Sequence, residues 1–293
     1  MSSKEMNGII LKSIGGFYYI EAAEEIYECK ARGSFRNKGC KPIAGDRVKI
    51  TVPDSGYAAV EEVYERKNSI IRPPIENIDT LFIVAATCDP NPNTLVIDKM
   101  TAAAVNKGIV PVIVISKSDL ASPESLKQIY SHSTIQTLEF SARDNRGLEE
   151  IRALLPNKVT AFTGNSGVGK STLLNALFPD LELDTGDISK KLGRGRHTTR
   201  SVELYKVDGG YVADTPGFST VDLQRYEIID KEELQYAFPE FGDFLGKCQF
   251  VSCNHLCEKG CAVIKAVEEG KISRSRHESY IAMYNEVKEL KKW

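Results

Sequence analysis

The segment that most narrows the choice of folds is Gly164-Asn165-Ser166-Gly167-Val168-Gly169-Lys170-Ser171-Thr172. An apolar run, Val159 to Thr163, precedes it and reads as a buried strand. Leu173-Leu174-Asn175-Ala176-Leu177-Phe178 follows and reads as the start of a helix, stopped by Pro179. Glycine, four residues, glycine, lysine and a hydroxyl residue between a strand and a helix make the Walker A pattern in its proper context. Glycines let the backbone curl until successive N–H groups point inward as an anion nest. The helix N-terminus adds partial positive charge. In such a loop Lys170 reaches the β- and γ-phosphates, and the Ser171 hydroxyl takes a position on Mg²⁺. The segment predicts an α/β domain that binds a nucleoside triphosphate.

A chain of 293 residues suits two or three domains. With 42% hydrophobic and 27% charged residues it has material for ordinary cores. No run approaches the roughly 18 apolar residues of a membrane span. Met1-Ser2-Ser3-Lys4-Glu5-Met6-Asn7 lacks the apolar centre of a signal peptide. The expectation is a cytoplasmic monomer with no membrane partner. A net charge of −2 gives no global basic field, so any RNA binding must come from local patches. Of seven cysteines, Cys29, Cys40 and Cys88 are scattered, whereas Cys248, Cys253, Cys257 and Cys261 crowd together. In a reducing compartment such a cluster argues for metal rather than disulfides.

Residues 7 to about 68 read as all-β. Gly8 to Leu11, Gly16 to Ile20, Ile26 to Ala31, Arg47 to Val52 and Ala58 to Val63 are short β-prone runs separated by turn residues. Five such strands suit a small barrel of the OB type, a fold that often binds nucleic acid. Lys30 to Lys41 holds five basic residues, Phe35 and no acid. That composition suits a phosphate-and-base surface, and equally a solvated loop.

After a linker-like stretch from Arg66 to Pro74, the pattern turns α/β. Thr80 to Ala86 is continuously apolar, as in a parallel strand buried on both faces. A helix is expected from Leu95 to Lys107, closed by Gly108. The next strand, Val110 to Ile115, delivers Ser116-Lys117-Ser118-Asp119 at its C-terminal end, the edge where ligands sit in such sheets. Gln136 to Phe140 leads into Ser141-Ala142, and Leu148 to Leu155 reads as a helix ending at Pro156. Lys190 to Arg200 carries five basic residues and no acid, and suits a mobile loop ending in His197-Thr198-Thr199-Arg200. A strand pair follows, Val202 to Val207 and Tyr211 to Ala213. The second strand presents Asp214-Thr215-Pro216-Gly217, about 45 residues after Lys170. An acid so placed is the Walker B arrangement, in which the carboxylate orients Mg²⁺. Finally, Cys248, Cys253, His255 and Cys261 supply three thiolates and one imidazole within 14 residues, enough for a closed tetrahedral zinc site. Cys257 is left out because the spacing fits without it. The zinc is read as a structural staple for a short, loop-rich segment. Helices are expected over Ala262 to Glu269 and Ser273 to Lys291.

Ser116-Lys117-Ser118-Asp119 resembles the Asn-Lys-x-Asp base-reading motif of GTPases, in which the Asp carboxylate takes the N1 and N2 donors of guanine and rejects adenine. Ser141-Ala142 resembles the companion loop that contacts guanine O6. Both stand before the Walker loop rather than after it, the order of the circularly permuted GTPases. With the Cys/His spacing, the chain over its full length resembles the ribosome-small-subunit-dependent GTPase A family, known in bacteria. The resemblance implies a multidomain α/β chain. An N-terminal β-barrel of the OB type (1–68) would precede a permuted P-loop GTPase domain with a mostly parallel sheet (69–225). A helical zinc-binding domain (226–293) would follow.

The function implied is that of a late assembly factor of the small ribosomal subunit. It would bind rRNA and hydrolyse GTP to GDP on subunit contact, which triggers release. Ser116, Lys117, Ser118 and Asp119, with Ser141 and Ala142, would hold guanine, and Gly164 to Thr172 the phosphates. Thr199 (or Thr198) would sense γ-phosphate and share Mg²⁺ with Ser171 and Asp214, and Gly217 would complete the second switch. Cys248, Cys253, His255 and Cys261 would bind the one zinc. Two positions depart from the usual pattern. Ser116 replaces the Asn that braces the base loop against the P-loop, which predicts looser nucleotide binding. Phe218 stands where many GTPases carry a water-orienting Gln, so intrinsic hydrolysis is expected to be slow. His197 is the candidate to order the water once RNA orders its loop; an exposed loop residue or a phosphate contact is the equal alternative. Two other readings stand beside this one. The first is a P-loop ATPase or small-molecule kinase, which Asp119 opposes. The second is an RNA-binding chaperone for which GTP is only a ligand, which Phe218 keeps open.

Overall fold

The computed structural model describes residues 3–31, 41–54, 56–71, 74–179, 202–214 and 229–289. Most of the basic run from Lys30 to Lys41, the whole of Lys190 to Arg200 with His197, Thr198 and Thr199, and Gly217 with Phe218 lie outside the described residues. By their contacts the described residues form two compact units. One holds 3–80, 152–161 and 202–214; the other holds 81–151, 162–179 and 229–289.

The N-terminal strands are β1 (Ser3–Ile14), β2 (Phe17–Ala22), β3 (Glu25–Ala31), β4 (Arg47–Pro53) and β5 (Ala58–Val63). They close into a barrel in the order β1-β2-β3-β5-β4, with β3 and β5 parallel and β1 pairing back on β4. Alternation is clearest in β4 and β5, and Ile10, Tyr18, Ile20, Cys29, Val48, Ile50 and Val60 fill the interior. Gly15 (φ +60°) and Gly16 (φ +86°) form the two-residue turn between β1 and β2. Two consecutive positive φ values give a turn whose twist matches the strands it joins. The expected five-strand barrel is present. Beyond it, Arg66 reaches back to the buried Asp46 at 2.8 Å and to Glu76 at 3.0 Å. Glu76 belongs to a small antiparallel pair, β6 (Ser69–Ile70) and β7 (Ile75–Glu76).

Six strands make the second sheet: β8 (Thr80–Ala86), β9 (Val110–Ser116), β10 (Gln136–Glu139), β11 (Val159–Thr163), β12 (Glu203–Val207) and β13 (Gly210–Asp214). Their order is β10-β9-β8-β11-β13-β12. β9 and β10 are parallel, as are β11 and β13, while β12 is antiparallel to β13. Every residue of β8 and β11 is buried, as continuous apolar runs predict. The helices are α1 (Thr94–Asn106), α2 (Glu124–Tyr130), α3 (Leu148–Arg152), α4 (Lys170–Leu177), α5 (Ala262–Glu268) and α6 (Arg274–Glu289). Asn93 caps α1, its side chain accepting from the Val96 N–H at 3.2 Å. α3 stops three residues short of the expected Leu155. Pro156 biases Leu155 away from helical dihedrals. The Leu155 carbonyl accepts from Lys158 N instead, and packs so closely on Gly210 that a Cβ there would lie 2.1 Å away.

The C-terminal segment packs Leu234, Phe238, Phe241, Val263, Ile272 and Tyr280 into one core together with Ala102 of α1. Inside it sits Arg276, which the sequence presents as one of a group of basic residues at a helix start. It is fully buried. Its guanidinium donates to Glu240 at 2.6 Å, to Asp98 at 2.7 Å and to Thr101 at 3.2 Å. Its Cζ lies 4.5 Å from the Phe238 ring centroid. Burial disfavours the cation, but the Asp98 and Glu240 carboxylates hold it charged. Deleting one member of such a cluster leaves uncompensated charge in the core. Arg276→Met should lower the unfolding free energy by about 3–5 kcal/mol, measured by urea titration; a loss below about 1 kcal/mol would remove the cluster from the account of stability.

Candidate functional site

The Walker loop bridges β11 and α4. Close packing, rather than flexibility, requires its first glycine. A Cβ on Gly164 would lie 2.6 Å from the Val84 carbonyl of β8 and 3.0 Å from the Val168 side chain. Gly169 takes a left-handed conformation (φ +87°) at the N-cap of α4, a turn a glycine makes without strain. Val168 is buried and anchors the loop, while Asn165, Ser166 and Gly167 are exposed and Ser171 half-buried.

The neighbouring strands bring their own C-terminal loops to the same edge. Ser116, at the end of β9, is 1% exposed, and its hydroxyl donates to the Val168 carbonyl at 2.5 Å. The side chain at position 116 thus links its own loop to the Walker loop, the contact assigned above to the usual Asn. Thr87, after β8, donates its N–H to the Ser116 carbonyl at 3.1 Å and its hydroxyl to the Lys117 carbonyl at 2.8 Å. Lys117 adopts φ +57°, and its ammonium meets the carbonyl of Asp89. Asp119 is exposed in the turn that follows. Ser118 donates through its hydroxyl to the Phe140 carbonyl at 3.1 Å, which ties this loop to the end of β10 and so to Ser141 and Ala142. Gly147 closes that third loop. A Cβ there would come within 1.7 Å of the Glu139 carbonyl. Ser141 is buried and Ala142 exposed. The structure thus gathers the Walker loop, Ser116 to Asp119, and Ser141-Ala142 at one edge. Asp214 ends β13, which runs parallel to β11.

Sequence reasoning missed the turn around Asp89-Pro90. Its peptide bond is cis, Lys117 contacts it, and Pro90 lies 3.6 Å from a Cβ position on Gly167. Asp-Pro-Asn-Pro reads as an ordinary loop, and only the fold places it against the P-loop.

The second cluster lies in the C-terminal segment. A tetrahedral zinc with Zn–S of about 2.3 Å and Zn–N of about 2.0 Å sets S···S at about 3.8 Å and S···N at about 3.5 Å. Cys248 and Cys261 sulfurs are 3.8 Å apart, and His255 Nδ1 lies 3.5 Å and 3.4 Å from them. With Cys253, all four ligand atoms fall within 4.8 Å of one another, so the residues fit one zinc ion. Cys257 is exposed and outside the group, as expected. Burial pushes the Cys253 thiol up to about 12 and raises that of Cys261. A bound dication is what makes thiolates stable there. Burial also lowers the His255 pKa, keeping the imidazole neutral and able to donate a lone pair.

Around the ligands stand partners with no sequence signal. Gln235 donates to the Glu232 carbonyl at 3.2 Å, which turns its Oε1 toward His255 Nε2 at 3.1 Å. Nε2 then carries the proton, and Nδ1 faces the sulfurs. His277 of α6 contacts the His255 carbonyl at 2.7 Å, and Tyr280 donates to the Asn254 carbonyl at 2.9 Å. The Ala262 N–H points at Cys248 Sγ at 3.3 Å.

A Walker loop that follows the Ser-Lys-Ser-Asp loop in the chain, yet meets it on one edge of one sheet, defines a circularly permuted P-loop GTPase. Similarity to known proteins agrees. The RsgA N-terminal domain profile matches residues 7–60 and the RsgA GTPase profile residues 63–224. The chain is 42% identical to the small ribosomal subunit biogenesis GTPase RsgA of Clostridium perfringens, covering 96% of this chain and 98% of that one. It is 42% identical to the protein of the same name from Streptococcus pneumoniae, over 96% and 94%. The crystal structure of YjeQ from Thermotoga maritima superimposes with a TM-score of 0.84 at 35% identity, covering 98% of this chain and all of that one. That of YloQ, described as a circularly permuted GTPase, gives 0.83 at 31%, covering 99% of this chain and 97% of that one. The chain belongs to the RsgA GTPase family.

The zinc assignment predicts about one zinc per chain by elemental analysis, lost in Cys248→Ser. Gln235→Leu removes the acceptor that orients His255 and should weaken zinc retention about 10- to 100-fold, read by competition with a colorimetric chelator. Unchanged retention would leave the glutamine a packing residue.

Proposed function

We propose that this chain hydrolyses GTP in the biogenesis of the small ribosomal subunit, as the names of its relatives state for them. The observation that carries the nucleotide site is the Ser116 hydroxyl on the Val168 carbonyl, which joins a base-reading loop to a phosphate loop. In this reading Asp119 accepts from the N1 and N2 donors of guanine. Lys117 lines the base, and Ser141 and Ala142 stand beside it. Backbone N–H groups of Gly164 to Thr172 cradle the phosphates, with Lys170 neutralising their charge. Ser171, Asp214 and Thr199 are the residues that would hold magnesium, which when bound offsets the charge developing on the transferred phosphoryl group. Gly217 belongs to the second switch, and His197 orders the attacking water.

The division of labour we infer is a barrel over 1–68 that grips rRNA, a GTPase domain over 69–225 and a zinc domain over 226–293. Contact with the subunit completes the catalytic site, and hydrolysis releases the switch loops and favours departure. The protein works as a monomer in the cytoplasm. Among the described residues no helix is long and apolar enough to cross a membrane. A competing reading, an RNA chaperone with GTP as a passive ligand, draws on Phe218, which can neither accept from water nor donate to it.

The deciding experiment measures GTP turnover with and without purified small subunits. A large increase, absent with large subunits and absent in Lys170→Ala, is expected; no increase would favour the passive ligand. Asp119→Asn tests base reading separately. Replacing the carboxylate with an amide loses charged hydrogen bonds to guanine, so GTP affinity should fall about 100-fold while xanthosine triphosphate, which offers an acceptor at C2, gains. Equal loss for both nucleotides would remove Asp119 from the base site.

A further inference from the structure

The outer face of the barrel carries two neighbouring aromatic rings, one half-buried and one largely exposed. Phe17 at the start of β2 and Lys30 near the end of β3 are cross-strand partners, and Tyr57 stands immediately before β5. The Phe17 and Tyr57 ring centroids are 5.4 Å apart at an interplanar angle of 54°. The Lys30 ammonium sits 4.3 Å from the Tyr57 centroid and 5.0 Å from that of Phe17. Tyr57 is 56% exposed. Among the described residues Lys30 forms no ion pair with a carboxylate, whereas Lys12 on β1 pairs with Glu203 at 2.5 Å. The β1–β3 face also bears a recess of about 290 Å³ lined by Leu11, Lys12, Ile14, Tyr19, Ile26 and Glu203, with Ile26 exposed.

An exposed π face beside a cation that meets no carboxylate among the described residues matches a ligand that offers a flat ring and an anion side by side. An unpaired nucleotide does so, because its base stacks and its phosphate takes the charge. The place in the fold agrees. OB barrels take oligonucleotides on the β2–β3 face and on the loops joining β1 to β2 and β4 to β5. Here Phe17 follows the first loop, Lys30 lies on β3 and Tyr57 closes the second loop. Duplex RNA keeps its bases stacked inside and would leave these rings unused.

We propose that Phe17, Lys30 and Tyr57 form a stacking platform for an unpaired base of single-stranded RNA, with Tyr57 giving the ring face and Lys30 the adjacent phosphate contact. The proposal rests on the small-subunit reading and specifies its RNA contact. The test uses the full chain with two readouts. One is affinity for a single-stranded oligoribonucleotide and for a duplex of the same composition across a salt series. The other is subunit-stimulated GTP turnover. Tyr57→Ala and Phe17→Ala should weaken single-strand binding about 5- to 150-fold, with duplex binding and basal turnover unchanged. Tyr57→Phe should restore binding to within about twofold. Lys30→Ala should reduce the salt slope by about 0.7. Unchanged single-strand affinity in both alanine variants overturns the platform, as does an equal loss on duplex. So does a loss of subunit stimulation with RNA binding intact, which would make this face a protein contact. Absence of stimulation in the wild type defeats the small-subunit reading, while the oligonucleotide readout still judges the platform.

Discussion

The hydroxyl of Ser116 on the carbonyl of Val168 holds the end of one strand against the loop that follows another. Because Ser116 is buried, that bond forms away from competing water, and breaking it would leave a buried carbonyl without its donor. Thr87 locks the same corner from the third strand through its backbone N–H and its hydroxyl. Gly164 permits the approach, since any side chain there would collide with the Val84 carbonyl. Contacts made by the protein itself thus set the course of the loop.

Permuting the chain leaves this corner intact because it is assembled from strand ends, not from sequence order. It also sends the chain from β13 directly into the segment that leads to the zinc cluster. That segment is tied back to α1 by Arg276, whose guanidinium reaches Asp98 and Glu240 inside the C-terminal core. The next residue on α6, His277, contacts the loop that carries His255. Adjacent positions of one helix therefore hold the helix that follows β8 and the metal loop. A metal in that loop would add a local staple where the chain between Cys248 and Cys261 has little core of its own.

Much of this was legible in the sequence for physical reasons. Residue periodicity specified the barrel strands, since alternation at Ile10, Ile20, Val48 and Ile50 buries one face. Continuous apolar runs specified β8 and β11. The Walker spacing specified a strand, a nest and a helix, because few other residue choices let a backbone turn that tightly. The Cys/His spacing specified four converging donors. Each of these signals is local, written within some 15 residues by rules of backbone and ligand geometry.

Other features are decided only when distant segments meet. Arg276 is one of a group of basic residues near a helix start until Asp98, 178 positions away, is packed against it. Gln235 is an ordinary polar residue until His255 turns its Nε2 toward it. The Ser116 hydroxyl finds its acceptor only when a carbonyl 52 residues on is brought within reach. The platform of Phe17, Lys30 and Tyr57 draws on three separate strands or loops. The sequence by itself determined the elements and the chemical groups they carry, because those follow from local backbone preference and residue type. Tertiary structure alone decided which groups lie within hydrogen-bond reach, because desolvation and packing set the partners of a buried polar atom whatever its distance along the chain.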